Sequence, residues 1–315
     1  MRKSAATGLL LALMVITTIA WARYYMGCFL GESDFDAAGA ILPVSLPERD
    51  GMVEIPASEF IMGSAAGRFV EDAPAHRVRV EAFWLDIHEV TNAQFAEFVE
   101  ATGYRTTAEN RGWSYVFDDQ VGKWVKRSGA DWRRPQGGES TIIGKELYPV
   151  VHVSHHDAVA YCHWAGKTLP TEAQWECAAR SGLIEKTFPW GDEERPGGRC
   201  LANYWQGWFP GENREEDGYR RGAPVKSYPP SRFGLYDLMG NVWEWCSDRY
   251  DAEYYARSPV ENPTGPEEGD EYIQRGGSYL SAANARPGFS VSMRGKSRPE
   301  LSFEDVGFRG ARDGE

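Results

Sequence analysis

Polar side chains that could bind a metal or move a proton gather in one short stretch. His152, Ser154, His155, His156 and Asp157 stand close together in the chain, and imidazole and carboxylate groups suit iron or zinc. His155 and His156 are adjacent, however, so on a helix their side chains diverge by about 100°. Ser154 and Asp157 also have the spacing of a capping box. The pattern favours a capped helix start over a metal site.

The cysteines give no recognisable redox or zinc motif. No Cys-x-x-Cys occurs in the sequence, so a zinc site or a redox dithiol is unsupported. Their odd number means that at least one is free or bonded outside the chain if the others pair. The five are Cys28, Cys162, Cys177, Cys200 and Cys246.

Composition indicates a loop-rich globular protein. The chain has 315 residues with 42% hydrophobic content, enough for one large domain or two small ones. Aromatic residues make up 13% and glycines number 34, as in folds whose loops pack around large rings. The formal net charge of −12 argues against nucleic-acid binding by bulk electrostatics.

The first residues have the pattern of an export signal. Arg2 and Lys3 precede an apolar run over 8–19, and Ala20-Trp-Ala22 fits a cleavage site. We expect residues 1–22 to be a signal peptide or a membrane anchor, 23–48 a linker and 49–313 the folded domain. A lipoprotein site at Cys28 is a weaker alternative. The protein is thus expected to be exported (periplasmic, secreted or anchored), with membrane contact only through this segment.

Three helices and one strand are predicted from local signals. Capping residues open each helix and a glycine follows it, and alternating apolar residues mark the strand. The helices are bounded by Thr91 and Gly103, by Ser154 and Gly166, and by Thr171 and Gly182, and the strand runs from Val78 to Leu85. Because helices and strands mix without a βαβ rhythm, the fold class is α+β.

An ordered set of motifs over residues 49–312 resembles the formylglycine-generating enzymes, also called sulfatase-modifying factors. The Trp205-Gln-Gly step is more similar to the sulfatase-modifying branch than to the ergothioneine or pyoverdine relatives. The resemblance implies a C-type-lectin-like α+β fold with little regular secondary structure. The main motifs are Phe60-Ile-Met-Gly-Ser64, Glu89-Val-Thr-Asn92, Leu169-Pro-Thr-Glu172, Gly234-Leu-Tyr-Asp-Leu-Met-Gly-Asn-Val-Trp-Glu-Trp245, Arg275-Gly-Gly-Ser278 and Gly307-Phe-Arg309.

The resemblance also implies an active site whose metal ligands are missing here. The family pattern Arg-Gly-Gly-Ser-[Trp/Tyr]-x-Cys-x4-Cys holds copper(I) on two thiolates, but this chain has Ser281 and Arg286 at those positions. A hydroxyl is a hard donor and a guanidinium has no free lone pair, so a copper site is not expected. Ser278 of the family pattern is present. Trp243 and Arg309 are expected to line a peptide groove.

Two calcium sites are implied in the same way. Calcium prefers carboxylate, amide and carbonyl oxygens, although ordinary polar turns would explain these residues equally well without the family. The first set is Asn203 and Asp217 with the carbonyls of Tyr204 and Tyr219, and the second is Asp237 and Glu244 with the carbonyls of Gly240 and Val242.

Two further departures affect the family's disulfides. Gly310 and Ala179 stand where better-studied members carry cysteines, so the family's disulfides cannot be carried over. Cys162 is therefore expected to be a small core residue.

The C-terminal part is basic in an acidic chain. Residues 274–312 hold seven Lys or Arg and three acidic residues. Arg286 and Arg298 could bind a carboxylate-bearing ligand, while a solvated face or salt bridges to the acidic remainder would explain the same pattern.

Three functions fit these observations. The favoured one is a paralogue that binds an extended peptide of a sulfatase-like exported protein, or another partner, without copper–cysteine oxidase chemistry. The alternatives are an oxidoreductase with a reassigned metal site and a structural or cell-surface module. Conversion of a sulfatase cysteine to formylglycine is the least expected, because both metal-binding cysteines are absent.

Overall fold

Four α-helices are present in the part of the chain that the structure describes. The computed structural model describes residues 43–65, 72–282, 284 and 289–314. The helices are α1 (Asn92–Thr102), α2 (Thr107–Arg111), α3 (His155–Trp164) and α4 (Glu172–Arg180). Two short 3-10 turns, Pro196–Gly198 and Tyr254–Ala256, complete the helical segments.

Capping boxes start all four helices and confirm the three predicted starts. Thr91, Ser154 and Thr171 each accept a hydrogen bond from the main chain of the third helical residue, which reaches back to the cap. The helix α2 was not predicted, although Thr106 and Glu109 form the same box. Five residues give too short a periodic pattern to recognise from the sequence.

Within the described ranges, twelve short strands form two four-stranded sheets and two hairpins. The first sheet has the order β1-β2-β5-β12 and the second β10-β9-β8-β11, while β3-β4 and β6-β7 are separate pairs. The strands are β1 (Glu48–Arg49), β2 (Met52–Ile55), β3 (Ser58–Met62), β4 (His76–Val80), β5 (Phe83–Asp86), β6 (Trp113–Asp118), β7 (Lys123–Ser128), β8 (Trp243–Arg249), β9 (Tyr272–Arg275), β10 (Arg294–Ser297), β11 (Val306–Gly307) and β12 (Ala311–Asp313). The class is α+β with little regular structure, as predicted.

The strand predicted over 78–85 is two strands in different sheets. The chain leaves the β3-β4 hairpin after Val80 and joins the first sheet at Phe83. At the break, the Glu81 amide donates to Asn262 Oδ1 and the Gly314 amide donates to the Ala82 carbonyl. These partners are distant in sequence, so the alternating pattern alone could not show where one ladder ends.

Buried ion pairs tie α4 to the second sheet. Arg294 of β10 donates to both oxygens of Glu172, at 2.7 and 3.0 Å, and Arg275 of β9 pairs with Glu176. All four residues are at least 96% buried, so these charges are neutralised inside the protein. The basic C-terminal segment is thereby explained in part by salt bridges to the acidic remainder, while Arg286 lies outside the described residues.

The predicted export segment lies outside the described residues. The description begins at residue 43, and Glu48–Arg49 already pairs with β2 in the first sheet. Among the described residues, no helix combines the length and the apolar character needed to cross a membrane. The predictions of a signal peptide, an anchor and a linker over 1–48 therefore remain predictions.

Candidate functional site

Ser278 and Ser281 are joined in a tight turn after β9. The Ser281 amide donates to the Ser278 carbonyl at 2.9 Å, and the Ser278 amide donates to Ser281 Oγ at 3.0 Å. Gly277, at φ 77°, leaves room for this turn, since a Cβ there would lie 2.8 Å from Ser281 Oγ. Ser281 is 8% exposed. Its hydroxyl is held as a structural acceptor at the position where the family carries a metal-binding thiol.

Asp305 connects this turn to a cleft. Ser278 Oγ donates to Asp305 Oδ2 at 2.7 Å, and Asp305 lines a cleft beside β11. Burial raises the pKa of the Asp305 carboxyl to about 7. No local pattern in the sequence marks Asp305, because its partner Ser278 lies 27 residues away along the chain.

The raised pKa of Asp305 predicts a pH-dependent stability. An ordinary Asp titrates near pH 4, so between about pH 4 and 7 the folded protein holds a proton that the unfolded chain has released. The carboxyl therefore contributes less stability as the pH rises through this window. Relative to Asp305→Asn, the natural protein should lose about 2–3 kcal/mol in free energy of unfolding between pH 5 and pH 8.

Urea unfolding at the two pH values measures this difference. The exposed residue Glu81 provides the control, since Glu81→Gln removes one negative charge without changing the cleft. The other buried carboxyls are present in all three proteins, so their contributions to the pH dependence of the free energy of unfolding cancel in the comparison. Parallel stability changes in the natural protein and Asp305→Asn would contradict the assignment of a raised pKa to Asp305.

The cleft lies against the second sheet and has a volume of about 380 Å³. Trp243 of β8, which the resemblance implies to be a groove residue, lines it. The indole crosses to β10 and covers Gly295, where a Cβ would lie only 2.7 Å from the ring. Glycine at 295 therefore allows the indole to lie directly on the strand and form part of the cleft.

Aromatic rings from the β6-β7 hairpin and from the segment before β11 form the other wall. Trp124 of β7 and Phe303 also line the cleft, and their ring centroids are 5.3 Å apart in an edge-to-face contact. Tyr115 stacks on Phe303 at 4.9 Å. Such a wall offers flat apolar surface to a ligand.

Arg309 does not line the cleft, which corrects the expectation of a groove residue. Its guanidinium is fully buried and donates to both oxygens of Glu244, each at 2.7 Å. Trp175 Nε1 donates to the same carboxylate at 2.7 Å. Arg309 therefore links β8 to the chain after β11 inside the protein. Both carboxylate oxygens of Glu244 are hydrogen-bonded to its guanidinium.

The first predicted calcium set contains an unpartnered buried oxygen. Asn203 Oδ1 has no hydrogen-bond partner among the described residues. Asp217 Oδ2 accepts from the Tyr204 amide at 3.0 Å, and Asp217 Oδ1 accepts from the Tyr219 amide at 3.0 Å. Gln206 Nε2 contacts both the Tyr204 carbonyl and Asp217. Asp217 and the Tyr204 carbonyl thus lie close together, and the chemistry of these oxygens fits a hard cation.

The second predicted set contains one more acid than the sequence indicated. Glu89 is completely buried, and its Oε2 has no partner among the described residues. Burial, together with repulsion from Asp237, raises the pKa of Glu89 well above its ordinary value. Burial likewise raises the pKa of Asp237 to about 6. A cation would relieve this repulsion, so the donor set around Asp237 and Gly240 fits calcium with Glu89 added.

The two predicted calcium sets are adjacent. The Asn241 amide donates to the Asn203 carbonyl at 2.8 Å, and Asn241 Nδ2 donates to Glu89 Oε1 at 3.0 Å. Gly240 packs so closely on Asn203 that no side chain would fit there. No three His, Cys, Asp or Glu side chains in the described ranges are grouped to hold a metal by themselves. Calcium would therefore also need carbonyls, such as the one predicted at Val242.

The histidine-rich helix start is structural. His152 Nδ1 lies 2.7 Å from Ser114 Oγ, and His155 Nε2 lies 3.2 Å from the Cys246 carbonyl. Burial lowers the pKa of both imidazoles to about 4, so both are neutral at physiological pH. Ser154 and Asp157 form the capping box at the start of α3, as predicted.

The described donors near Ser281 do not fit copper(I). The described cysteines are Cys162, Cys177, Cys200 and Cys246, and none lies in the 275–282 turn. Cys162 is fully buried, and burial raises its thiol pKa, which agrees with the predicted core role. Arg286 lies outside the described residues.

The fold and the site define a loop-rich α+β protein with an aromatic cleft beside a serine turn. A family model described as "Sulfatase-modifying factor enzyme 1-like domain" matches residues 39–314. The "Formylglycine-generating enzyme" of Streptomyces coelicolor is 47% identical, covering 84% of this chain and 89% of that protein. The "Inactive C-alpha-formylglycine-generating enzyme 2" of Bos taurus is 40% identical, covering 82% of this chain and 86% of that protein.

A solved structure agrees with these relatives. PvdO from Pseudomonas aeruginosa superposes with a TM-score of 0.64 at 26% identity, covering 83% of this chain and 94% of that one. The chain belongs to the sulfatase-modifying factor family, and the resemblance inferred from its motifs is confirmed.

Proposed function

We propose that this protein is an exported member of the family that binds an extended peptide of a sulfatase-like protein without oxidising it. The observation that carries the proposal is the hydrogen-bonded turn of Ser278 and Ser281 beside an aromatic cleft. Ser281 supplies a hydroxyl oxygen held by a main-chain amide, a poor ligand for copper(I). Trp243, Trp124 and Phe303 still provide a surface on which a peptide can pack.

Two further findings support the proposal. A relative named as an inactive formylglycine-generating enzyme shares 40% identity with this chain, so members without the oxidation exist in the family. The described cysteines lie in other parts of the protein, where they serve as core or loop residues. Export rests on the sequence pattern of residues 1–22.

Peptide binding at the cleft tests this function directly. A fluorescein-labelled peptide containing Cys-x-Pro-x-Arg should bind the natural protein, and Trp243→Ala should weaken binding about tenfold or more by removing a buried aromatic contact. Fluorescence anisotropy under reducing conditions gives both dissociation constants.

Trp208→Ala is the matched control. Trp208 is 69% exposed and does not line the cleft, so its removal should leave peptide affinity unchanged. Absence of binding to the natural protein, or equal affinities for Trp243→Ala and the natural protein, would sink the peptide-binding proposal.

A further inference from the structure

Gln274 brings an unpartnered amide to the cleft. It lies on β9, opposite Gly295 of β10 and Trp245 of β8, and its side chain lines the cleft. The residue is only 6% exposed, and its Nε2 has no hydrogen-bond partner among the described residues. A buried donor without a partner costs free energy in the unbound protein. A ligand that supplies the missing partner recovers this cost.

The charged groups of the cleft are already committed to other residues. Arg294 pairs with Glu172, and Lys296 Nζ lies 3.1 Å from Glu271 and 4.1 Å over the Tyr250 ring. Asp305 accepts from Ser278, as described above. Gln274 therefore adds an uncharged buried donor without a partner among the described residues to a cleft whose charged side chains are paired.

The chemistry of a carboxamide selects its partner. It presents donor hydrogens and an acceptor oxygen in one plane, and another amide matches both with a donor and an acceptor of its own. A carboxylate could accept from the donor hydrogens but has no hydrogen to donate to the acceptor oxygen. Its negative charge would also lie near the Asp305 carboxyl. The aromatic rings of Trp243 and Phe303 beside Gln274 suit an apolar group attached to that amide.

We propose that Gln274 is the specificity-determining residue of this cleft and that it recognises an uncharged amide, a peptide bond or carboxamide, flanked by an apolar group. This inference rests on the proposed peptide-binding function and adds the chemical group that the cleft recognises. The natural ligand would then be selected by an apolar residue and its neighbouring peptide bond.

A matched pair of small probes tests this directly. N-(2-phenylethyl)acetamide and 2-phenylethyl acetate have the same phenyl group and differ in an amide or an ester. NMR titration of the folded protein, following the Trp indole and Gln side-chain signals, gives both affinities. Both carbonyls can accept from Gln274 Nε2, but only the amide has an N–H to donate to Gln274 Oε1, so the amide should bind the natural protein about 3- to 10-fold more tightly, the contribution of one hydrogen bond.

Variants assign the preference to Gln274. In Gln274→Met, which has similar length without the hydrogen bonds, the two probes should bind equally, and both should bind more weakly than to the natural protein, because each carbonyl loses the Nε2 donor. Gln120→Met, at an exposed position on the β6-β7 turn, should keep the preference for the amide. Ester binding also shows that the cleft of each variant is folded.

The outcomes separate this inference from the proposed function. Equal affinity of the natural protein for both probes overturns the inference, whether or not Gln274→Met folds, and so does an amide preference that survives in that variant. Binding of the Cys-x-Pro-x-Arg peptide with no amide preference would overturn this inference alone. Amide preference without binding of that peptide would overturn the proposed partner and leave the role of Gln274 intact.

Discussion

The double substitution Ser281→Cys and Arg286→Cys is expected to create a copper(I) site. Two thiolates are soft ligands that match copper(I), whereas a hydroxyl and a guanidinium are not. The variant should retain about one copper ion per molecule after desalting, and the natural protein should retain none. Competition with a coloured copper(I) chelator measures the difference.

The same double variant should also gain formylglycine-forming activity on a Cys-x-Pro-x-Arg peptide. The family resemblance implies that the chemistry depends on this cysteine pair, and Ser278 and Trp243 already stand at their expected places. Ser281→Cys alone is the control, because one thiol cannot form the dithiolate. If the double variant bound copper but formed no aldehyde, the loss of chemistry would have to lie elsewhere in the site.

Removal of calcium is expected to produce the largest change in stability. A site filled about a thousandfold above its dissociation constant stabilises the folded state by about 4 kcal/mol. For a domain of this size, that corresponds to a melting temperature about 10 °C lower after treatment with EGTA. Buried oxygens at Asn203 and Glu89 without partners among the described residues support this expectation.

Two variants distinguish the calcium sets. Asp217→Asn and Asp237→Asn keep the side-chain shape and remove one charge each, so each should lose one calcium ion by mass spectrometry of the dialysed protein. Asp313→Asn, on β12 outside both sets, is the control. Melting curves of the natural protein that coincide with and without EGTA would contradict a structural role for calcium.

Local signals in the sequence were sufficient for the helices and for the family. Capping boxes at Thr91, Ser154 and Thr171 depend on residues three positions apart, so the sequence alone shows them. Sheet order depends on contacts between distant residues, as in the pairing of β12 with β5. For this reason the split of the 78–85 strand could not be predicted.

The site was predicted only where the family motifs reach it. Trp243 and Ser278 lie in motifs of the family and could be named as candidates from the sequence, whereas Gln274 and Asp305 became candidates only when the structure placed them at the cleft. Arg309 lies in a motif too, but its burial against Glu244 could not be read from sequence. A motif identifies a residue without showing which way its side chain points.

We propose that the cleft persists while the oxidation chemistry is lost. The most direct test is mass spectrometry of a Cys-x-Pro-x-Arg peptide after incubation with the natural protein, copper(I) and oxygen, with metal analysis of the same sample. We predict an unmodified peptide and a protein that contains calcium without copper. Formation of the aldehyde would contradict the account and would show that oxidation proceeds with Ser281 and Arg286 in place of the two cysteines.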